Sequence, residues 1–249
     1  MALRFRPPLA ATLAVVLLVP SMIALGLWQL QRAEEKRVLQ TAYDQRANEE
    51  PIGLATYVQE ASDLRFRKIR ARGSYEDRYQ LLLDNRVHHG RPGYHVISPF
   101  RVEGSEVRVL VNRGWIAMGP SRQQLPAVDT PTGTVEIVGT AMVPTERPFV
   151  LGKLETLRER NLTVWQQLDM QRYAQSAPFA VQPAVLLLDP VSPAGGFTRE
   201  WTRLDSGIAV HQGYAFQWFA LAAVLVVLYV YFGRRAGRGP KSAPDTLQS

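Results

Sequence analysis

The sequence contains no cysteine. This absence excludes disulfide bonds, a thiolate nucleophile, a Cys-x-x-Cys copper carrier and a covalent Cys-x-x-Cys-His haem attachment. The sequence also lacks Gly-x-Ser-x-Gly, His-Glu-x-x-His and a glycine-rich phosphate loop after a predicted strand, which are the signatures of common hydrolases and nucleotide-binding enzymes. We therefore expect a protein that is not an enzyme.

A basic patch is missing as well, although the formal net charge is +7. The short ends hold most of this charge, because residues 1–8 contribute +2 and residues 233–249 contribute +3. Residues 31–208 carry only +2 over 178 residues. A nucleic-acid-binding domain needs a clustered basic surface, so we predict no nucleic-acid partner.

Two long runs contain no Lys, Arg, Asp or Glu, namely residues 9–30 and 209–232. As helices they extend roughly 33 and 36 Å, enough to cross a hydrocarbon core of about 30 Å. A cleaved signal peptide is the alternative for the first run, but its 22 residues exceed the usual apolar segment of about 7–15 residues. We predict two transmembrane helices in contact with the lipid bilayer.

The basic residues at both ends predict the orientation of these helices. Short cytoplasmic segments are enriched in Lys and Arg, so tails 1–8 and 233–249 are expected in the cytoplasm and domain 31–208 outside it. No presequence rich in Arg and Ser precedes the first apolar run. The expected location is therefore a bacterial inner (plasma) membrane, with a multi-pass chain and a periplasmic domain.

The segment between the apolar runs has a mainly β pattern. Residues 31–48, with alternating charges, predict a helical continuation of the first run. Strand-like patterns follow in residues 67–72, 79–84, 94–102, 106–111, 135–143 and 181–188, with a short helix at 163–175. We expect one mainly antiparallel β (α+β) extracytoplasmic domain of about six or seven strands. The pattern leaves open whether its sheet closes into a barrel.

The second apolar run begins with polar and aromatic residues at helical spacing. His211, Tyr214, Ala215, Trp218 and Ala222 share one face of a helix. Tyr and Trp are common where a span meets water, so an interfacial belt is one explanation of Tyr214 and Trp218. An ionisable residue in a span is by default a functional candidate, although His211 is close enough to the boundary to face the headgroups.

Two further groups of residues have alternative interpretations. His88, His89 and His95 surround a predicted turn at residues 85–93, where they form either a metal site or a solvated surface. Asn85-Arg86 and Asn112-Arg113 each follow a predicted strand. Their guanidinium groups either bind a carboxylate ligand or stabilise the domain itself.

Three segments, taken together and in order, resemble the surfeit locus protein 1 family. They are Gly-Leu-Trp-Gln-Leu-x-Arg-x-x-x-Lys at residues 26–36, Val-Asn-Arg-Gly-Trp at 111–115 and His-x-x-Tyr-Ala-x-Gln-Trp-Phe at 211–219. Gly73-x-Tyr75, Asn85-Arg86, Gly93-Tyr94 and Pro99 support the resemblance, which covers residues 9–232. The family consists of membrane assembly factors for haem–copper cytochrome oxidase.

The resemblance implies that the chain binds haem a and aids its insertion into cytochrome c oxidase subunit I, with haem a synthase as a second candidate partner. It implies that His211 is the axial ligand of the haem iron. We expect the remaining contacts from aromatic walls and from cations near the propionates, namely Trp28, Tyr214, Trp218, Arg32 and Arg113. The alternatives are a haem-free scaffold for unassembled subunit I and, with less support, a membrane-anchored haem-modifying enzyme. His88, His89 and His95 are not part of the family pattern.

Overall fold

The computed structural model describes residue 5 and residues 7–119, 124–144, 157–159, 162–201 and 207–236. Contacts divide the chain into two compact units, residues 1–41 with 203–249, and residues 42–202. The described helices are α1 (Leu9–Ala47), α2 (Ala61–Leu64), α3 (Met170–Ser176) and α4 (Ile208–Ala236). The described strands are β1 (Ile52–Gly53), β2 (Lys68–Tyr75), β3 (Gln80–His88), β4 (Arg91–Val102), β5 (Arg108–Ala117), β6 (Val135–Met142), β7 (Leu157–Glu159), β8 (Leu162–Trp165) and β9 (Val181–Leu188).

The first unit is built from α1 and α4, which are long and apolar enough to cross a membrane by length and composition. Along each helix, one series of residues that are at least partly buried recurs at alternating intervals of three and four. In α1 they are Val15, Val19, Met22, Gly26, Gln29, Ala33 and Lys36, and in α4 they are His211, Ala215, Trp218, Ala222, Leu225 and Tyr229. This spacing is the repeat of left-handed helix pairs.

Contacts between the two helices show that they run antiparallel. The Thr12 hydroxyl lies 2.9 Å from the Tyr229 hydroxyl at one end of the pair. Further along, Gly26 faces Phe219 so closely that a Cβ atom at residue 26 would lie 2.6 Å from the ring. With the Phe219 ring in this position only glycine fits at residue 26, which gives the first residue of the 26–36 motif a role in packing.

The second unit contains a closed barrel of five strands. β2 pairs with β6, β6 with β9, β9 with β5 and β5 with β4, and the end of β4 returns to β2. The β5–β9 pair is parallel and the other four are antiparallel. Numbered along the chain, the ring has the order 1-2-3-5-4, the topology of a Greek-key barrel of the oligonucleotide/oligosaccharide-binding type. The expected mainly antiparallel β domain is confirmed, and its sheet closes.

Barrel closure depends on Gly73 in β2. This residue pairs with Val135 of β6 on one side and with Val102 of β4 on the other. A Cβ atom here would lie 2.0 Å from the Arg101 carbonyl oxygen. Gly73 therefore allows β2 to pair with both β6 and β4, which gives the glycine of the Gly-x-Tyr motif a structural role.

The sheet continues beyond the barrel from the N-terminal half of β4, where β3, β8 and β7 are added. The barrel interior is filled by aliphatic and aromatic residues such as Phe100, Val109 and Ile137. A second cluster, which includes Ile97, Leu110 and Tyr173, lies between the sheet and α3. β5 is therefore buried on both faces from Arg108 to Gly114.

The structure corrects two local predictions. The predicted helix at 163–175 is wrong in its first half, because Leu162–Trp165 pairs as a strand with β3. The helix begins only after Asp169, whose carboxylate accepts a hydrogen bond from the Arg172 N–H. The Asn-Arg pairs also do not follow strands but lie within β3 and β5. Positive φ angles at Asn85 and Gly114 bend these strands without ending them.

The Gly26–Phe219 contact predicts that Gly26→Leu separates α1 from α4. Overpacking of this kind costs about 1–3 kcal/mol, so the melting temperature of the detergent-purified chain should fall. The double variant Gly26→Leu/Phe219→Ala should recover much of the loss because the added side chain then has space. Ala24→Leu, which introduces the same side chain at an exposed position of α1, is the control. Equal melting of the Gly26 and Ala24 variants would contradict the prediction.

Candidate functional site

His211 and Gln29 form a direct hydrogen bond between α4 and α1. The His211 Nδ1 atom lies 2.6 Å from the Gln29 Oε1 atom. An amide oxygen is only an acceptor, so Nδ1 carries the hydrogen of this bond, and the tautomer with that single ring hydrogen has its lone pair on Nε2. Histidines that bind metals commonly have this arrangement, in which a second group orients the ring and sets its tautomer. In this tautomer, Nε2 is the ring atom that could coordinate a metal.

The local sequence explains why these two residues meet. The His211 N–H donates to the Gly207 carbonyl, which places His211 in the first turn of α4. Gln29 lies on the side of α1 that faces α4, together with Gly26 and Lys36. A Cβ atom at Gly207 would lie 2.7 Å from the Lys36 Nζ atom. Gly26 and Gln29 thus contact α4, and Lys36 lies close to Gly207, the residue that precedes α4.

Trp28 and Tyr214 lie together on one side of the helix pair. An advance of about 100° per residue along two antiparallel helices turns both side chains to the same side of the His211–Gln29 contact. The same geometry places Gly26 and Phe219 on the opposite side, where they are in contact. Trp28 is 48% exposed and Tyr214 is 49% exposed. The pair therefore presents two aromatic surfaces next to an oriented imidazole.

Arg32 and Trp218 extend this aromatic side along the pair. Arg32 lies one turn beyond Trp28, with its guanidinium carbon 5.8 Å from the centre of the Trp28 ring, and it also pairs with Glu35 at 2.8 Å. Trp218 lies one to two turns further along α4 and is half-buried. Five of the six residues expected in the site therefore belong to one compact unit. Together they offer an apolar wall, one metal-binding nitrogen and one cation, in that order along the helices.

Arg113, the sixth expected residue, is buried in the β domain. It has no exposed surface, and its guanidinium donates to the Ser98 hydroxyl at 3.4 Å, the Thr130 hydroxyl at 3.2 Å and the Asp129 carbonyl. The rings of Tyr75 and Phe197 lie 4.9 and 4.8 Å away. Burial lowers the pKa of Arg113 from its usual value. These contacts favour the structural interpretation of this residue, and its role as a propionate ligand stays a prediction.

The histidines of the β domain line a cavity of about 450 Å³ next to Trp115. The Trp115 indole N–H donates to the Arg86 carbonyl at 2.9 Å, which fixes the ring against this cavity. Burial, together with the nearby Arg86 cation, lowers the pKa of His95 to about 4, so this ring is neutral near pH 7. The sequence pointed to the histidines but not to Glu200, which lines the same cavity. Glu200 is more than a hundred residues away in the chain, and no local pattern reveals it.

The contacts of Arg113 predict that Arg113→Met destabilises the β domain. The variant keeps an apolar stem but leaves the Asp129 carbonyl and the Ser98 hydroxyl without this donor, which we expect to lower the free energy of unfolding by about 3 kcal/mol. Arg113→Lys should also be destabilised, because an ammonium group lacks the planar fork of donors. Urea unfolding measures the effect, with Arg101→Met at an exposed position of β4 as the control. Equal stability of the two Met variants would refute this role.

Comparisons with known proteins agree with the three motifs. The SURF1 family profile matches residues 16–223. Surfeit locus protein 1 of Mus musculus is 28% identical over 245 residues, which cover 90% of this chain and 76% of that protein. The Homo sapiens protein of the same name is 28% identical over 236 residues, covering 86% and 75%. The SURF1-like protein of Rickettsia felis is 26% identical over 233 residues, covering 89% and 96%. This chain belongs to the SURF1 family.

Proposed function

We propose that this chain is a membrane assembly factor for haem–copper cytochrome c oxidase that binds haem a and aids its insertion into subunit I. His211 is the axial ligand in this proposal, and no catalytic step is assigned to the chain. The observation that carries the proposal is the hydrogen bond between His211 and Gln29. It joins two of the three motifs that relate this chain to its family, and it leaves Nε2 with the lone pair that iron requires.

The surroundings of His211 suit the chemistry of the cargo. Haem a is a broad apolar disc with a long hydrophobic tail at its rim and two carboxylates. Trp28 and Tyr214 supply half-exposed rings beside the imidazole, and Arg32 supplies a cation one turn away on α1. Aromatic faces pack well against flat apolar groups, and a guanidinium pairs with carboxylates. The apolar length of α4 beyond Trp218 is available to the hydrophobic tail.

A single ligand also agrees with transfer rather than permanent storage. His211 is the one histidine in the first unit. With one imidazole bound, the opposite face of the iron stays open to a ligand from subunit I. The haem could therefore gain its new ligand before it loses His211. Gln29 keeps the His211 ring in one orientation, which reduces the ordering needed when the cargo binds.

The proposed setting is a bacterial plasma membrane, with α1 and α4 as spans, both ends in the cytoplasm and the β domain in the periplasm. A helix of 39 residues is about 58 Å long, so α1 extends well beyond the hydrocarbon core. Its extension carries charged residues and i,i+3 ion pairs such as Arg37–Glu34 at 2.9 Å. Gln29 lies at the end of the apolar run, which places the His211–Gln29 contact at the membrane edge.

The first test is the optical spectrum of the detergent-purified full chain after coexpression with the enzymes that make haem a. The wild type should retain haem a, and His211→Ala should lose it or show a shifted spectrum because the axial nitrogen is gone. Gln29→Leu should weaken binding by about 10–100-fold, the usual effect of removing a group that orients a ligand. Gln212→Ala changes the exposed neighbour of His211 and should bind normally.

The outcomes separate a haem-binding factor from a haem-free scaffold. A colourless wild type that still supports oxidase maturation would reject haem binding and favour a scaffold that holds unassembled subunit I. Haem retention by His211→Ala with an unchanged spectrum would reject His211 as the ligand.

The absence of cysteine permits a direct test of topology. Val191, which is 89% exposed in the β domain, and Ser249 at the C-terminal end are replaced singly by cysteine. A maleimide that cannot cross membranes should label Val191→Cys once it has entered the periplasm, and should label Ser249→Cys only after the inner membrane is permeabilised. The parent chain has no thiol and gives no background. Labelling of both sites in intact membranes would contradict the proposed orientation.

A further inference from the structure

The tip of the β3–β4 hairpin brings two histidines side by side. His88 is the last residue of β3 and pairs with Arg91 of β4, so His89 and Gly90 form a two-residue turn. Their φ angles of 46° and 75° are those of a type I′ turn, which usually contains Asn-Gly. The turn holds the two imidazole rings 4.2 Å apart between centroids. This hairpin therefore presents two nitrogen donors from adjacent residues.

A third donor comes from a distant segment that is tied to β5. Thr198 and Trp115 exchange two backbone hydrogen bonds of 2.7 and 3.1 Å. This bridge places Glu200, two residues later, next to the hairpin. The Glu200 Oε2 atom lies 3.3 Å from His89 Nε2 and 3.9 Å from His88 Nε2. The three donor atoms all lie within 4.8 Å of one another.

These distances are close to those of a coordination sphere. Donors bound to Zn²⁺ at about 2.0–2.1 Å in a tetrahedron are roughly 3.3–3.4 Å apart. The Glu200–His89 distance already has this value, and the others require only small side-chain rotations. His89 and Glu200 have exposed side chains with space to move, 75% and 64% exposed, whereas His88 is 21% exposed and forms the fixed side of the group.

His95 lines the same cavity but is not a fourth ligand. The side-chain Oδ1 atom of Asn112 accepts a hydrogen bond from the Gly114 N–H at 3.2 Å, so the side-chain Nδ2 atom faces His95 Nδ1 at 3.3 Å. Nδ1 is then the acceptor, and the hydrogen of the neutral ring is on Nε2. His95 therefore cannot coordinate without losing its bond to Asn112, and water is left for the open position.

We propose that His88, His89 and Glu200 form a binding site for a divalent transition-metal ion of the Zn²⁺ or Cu²⁺ class. Two imidazoles and one carboxylate are a ligand set of zinc sites that keep an open position, and Cu²⁺ binds such donors still more tightly. Mg²⁺ and Ca²⁺ prefer oxygen donors alone. The site is built entirely within the β domain and is independent of the proposed haem site.

The test uses the full chain in detergent, purified without a polyhistidine tag and stripped with a chelator. Zn²⁺ titration by calorimetry should show one site per chain with a dissociation constant in the micromolar range or below. Cu²⁺ should quench tryptophan fluorescence, because the Trp115 ring lies 5.1 Å from the His88 ring. The electron paramagnetic resonance spectrum of the Cu²⁺ form should show coupling to two imidazole nitrogens.

Two variants remove single donors while keeping the local structure. His89→Asn retains a residue that suits the type I′ turn, and Glu200→Gln retains the shape of the side chain. Each should weaken Zn²⁺ binding at least tenfold, and His89→Asn should show coupling to one imidazole nitrogen only. Glu103→Gln is the matched control, because the Glu103 side chain is also 64% exposed. His211→Ala should bind Zn²⁺ like the wild type.

Two outcomes would overturn the proposal. One is a wild type that shows no saturable site up to 100-fold molar excess of Zn²⁺ or Cu²⁺. The other is a site whose affinity is the same in His89→Asn, Glu200→Gln and the Glu103→Gln control. In either case the Glu200 contacts are ordinary surface ion pairs, and the proposed haem function is unaffected because no haem is present in this test.

Discussion

The close approach of α1 and α4 at Gly26 is the contact on which the candidate haem site depends. With no side chain at residue 26, the Phe219 ring occupies the space where a Cβ atom would be. One turn further along α1, the helices are near enough for Gln29 to reach His211. A larger separation would remove that hydrogen bond and leave the imidazole free to rotate. A packing residue therefore determines the chemistry of the ligand.

The residues of the family motifs have two different kinds of role. Gly26, Gln29 and His211 lie at the contact between α1 and α4, where Gln29 holds the His211 ring. The residues of the 111–115 motif make contacts within the β domain: Asn112 accepts from Gly114, Arg113 fills the core and Trp115 is held by the Arg86 carbonyl. A small Greek-key barrel carries many functions in different proteins. The barrel topology therefore contributes nothing to the functional proposal, which depends on the helices.

Much of this architecture could be predicted from the sequence. The apolar runs appear as two long helices, the 31–48 segment continues α1 as far as Ala47, and the period-two patterns appear as strands. Barrel closure was not predictable, because it depends on one strand pairing with two neighbours at Gly73. The error at 163–175 has a similar cause. The local sequence around Val164 and Trp165 was interpreted as a helix, but these residues form a strand because they pair with β3.

The candidate sites were predictable only where their residues are chemically unusual for their location. An uncharged run that begins with a histidine draws attention to His211, and the 26–36 motif draws attention to Gln29, but only the fold shows that they touch. For Arg113 the sequence left a ligand contact and a structural role open, and the three acceptors and two aromatic rings around its guanidinium favour the structural role. Glu200 gave no signal in the sequence.

The two proposed metal-binding groups differ in the number of donor atoms that they offer. His211 offers a single nitrogen beside exposed aromatic rings, which suits a large apolar cargo whose iron keeps four bonds to its own macrocycle and needs only one from the protein. His88, His89 and Glu200 offer three donors and one negative charge, which suits a small ion that brings no ligands except water. A bare divalent ion at His211 alone would be weakly held. The number of donors and the polarity of the surroundings thus assign a different ligand class to each compact unit.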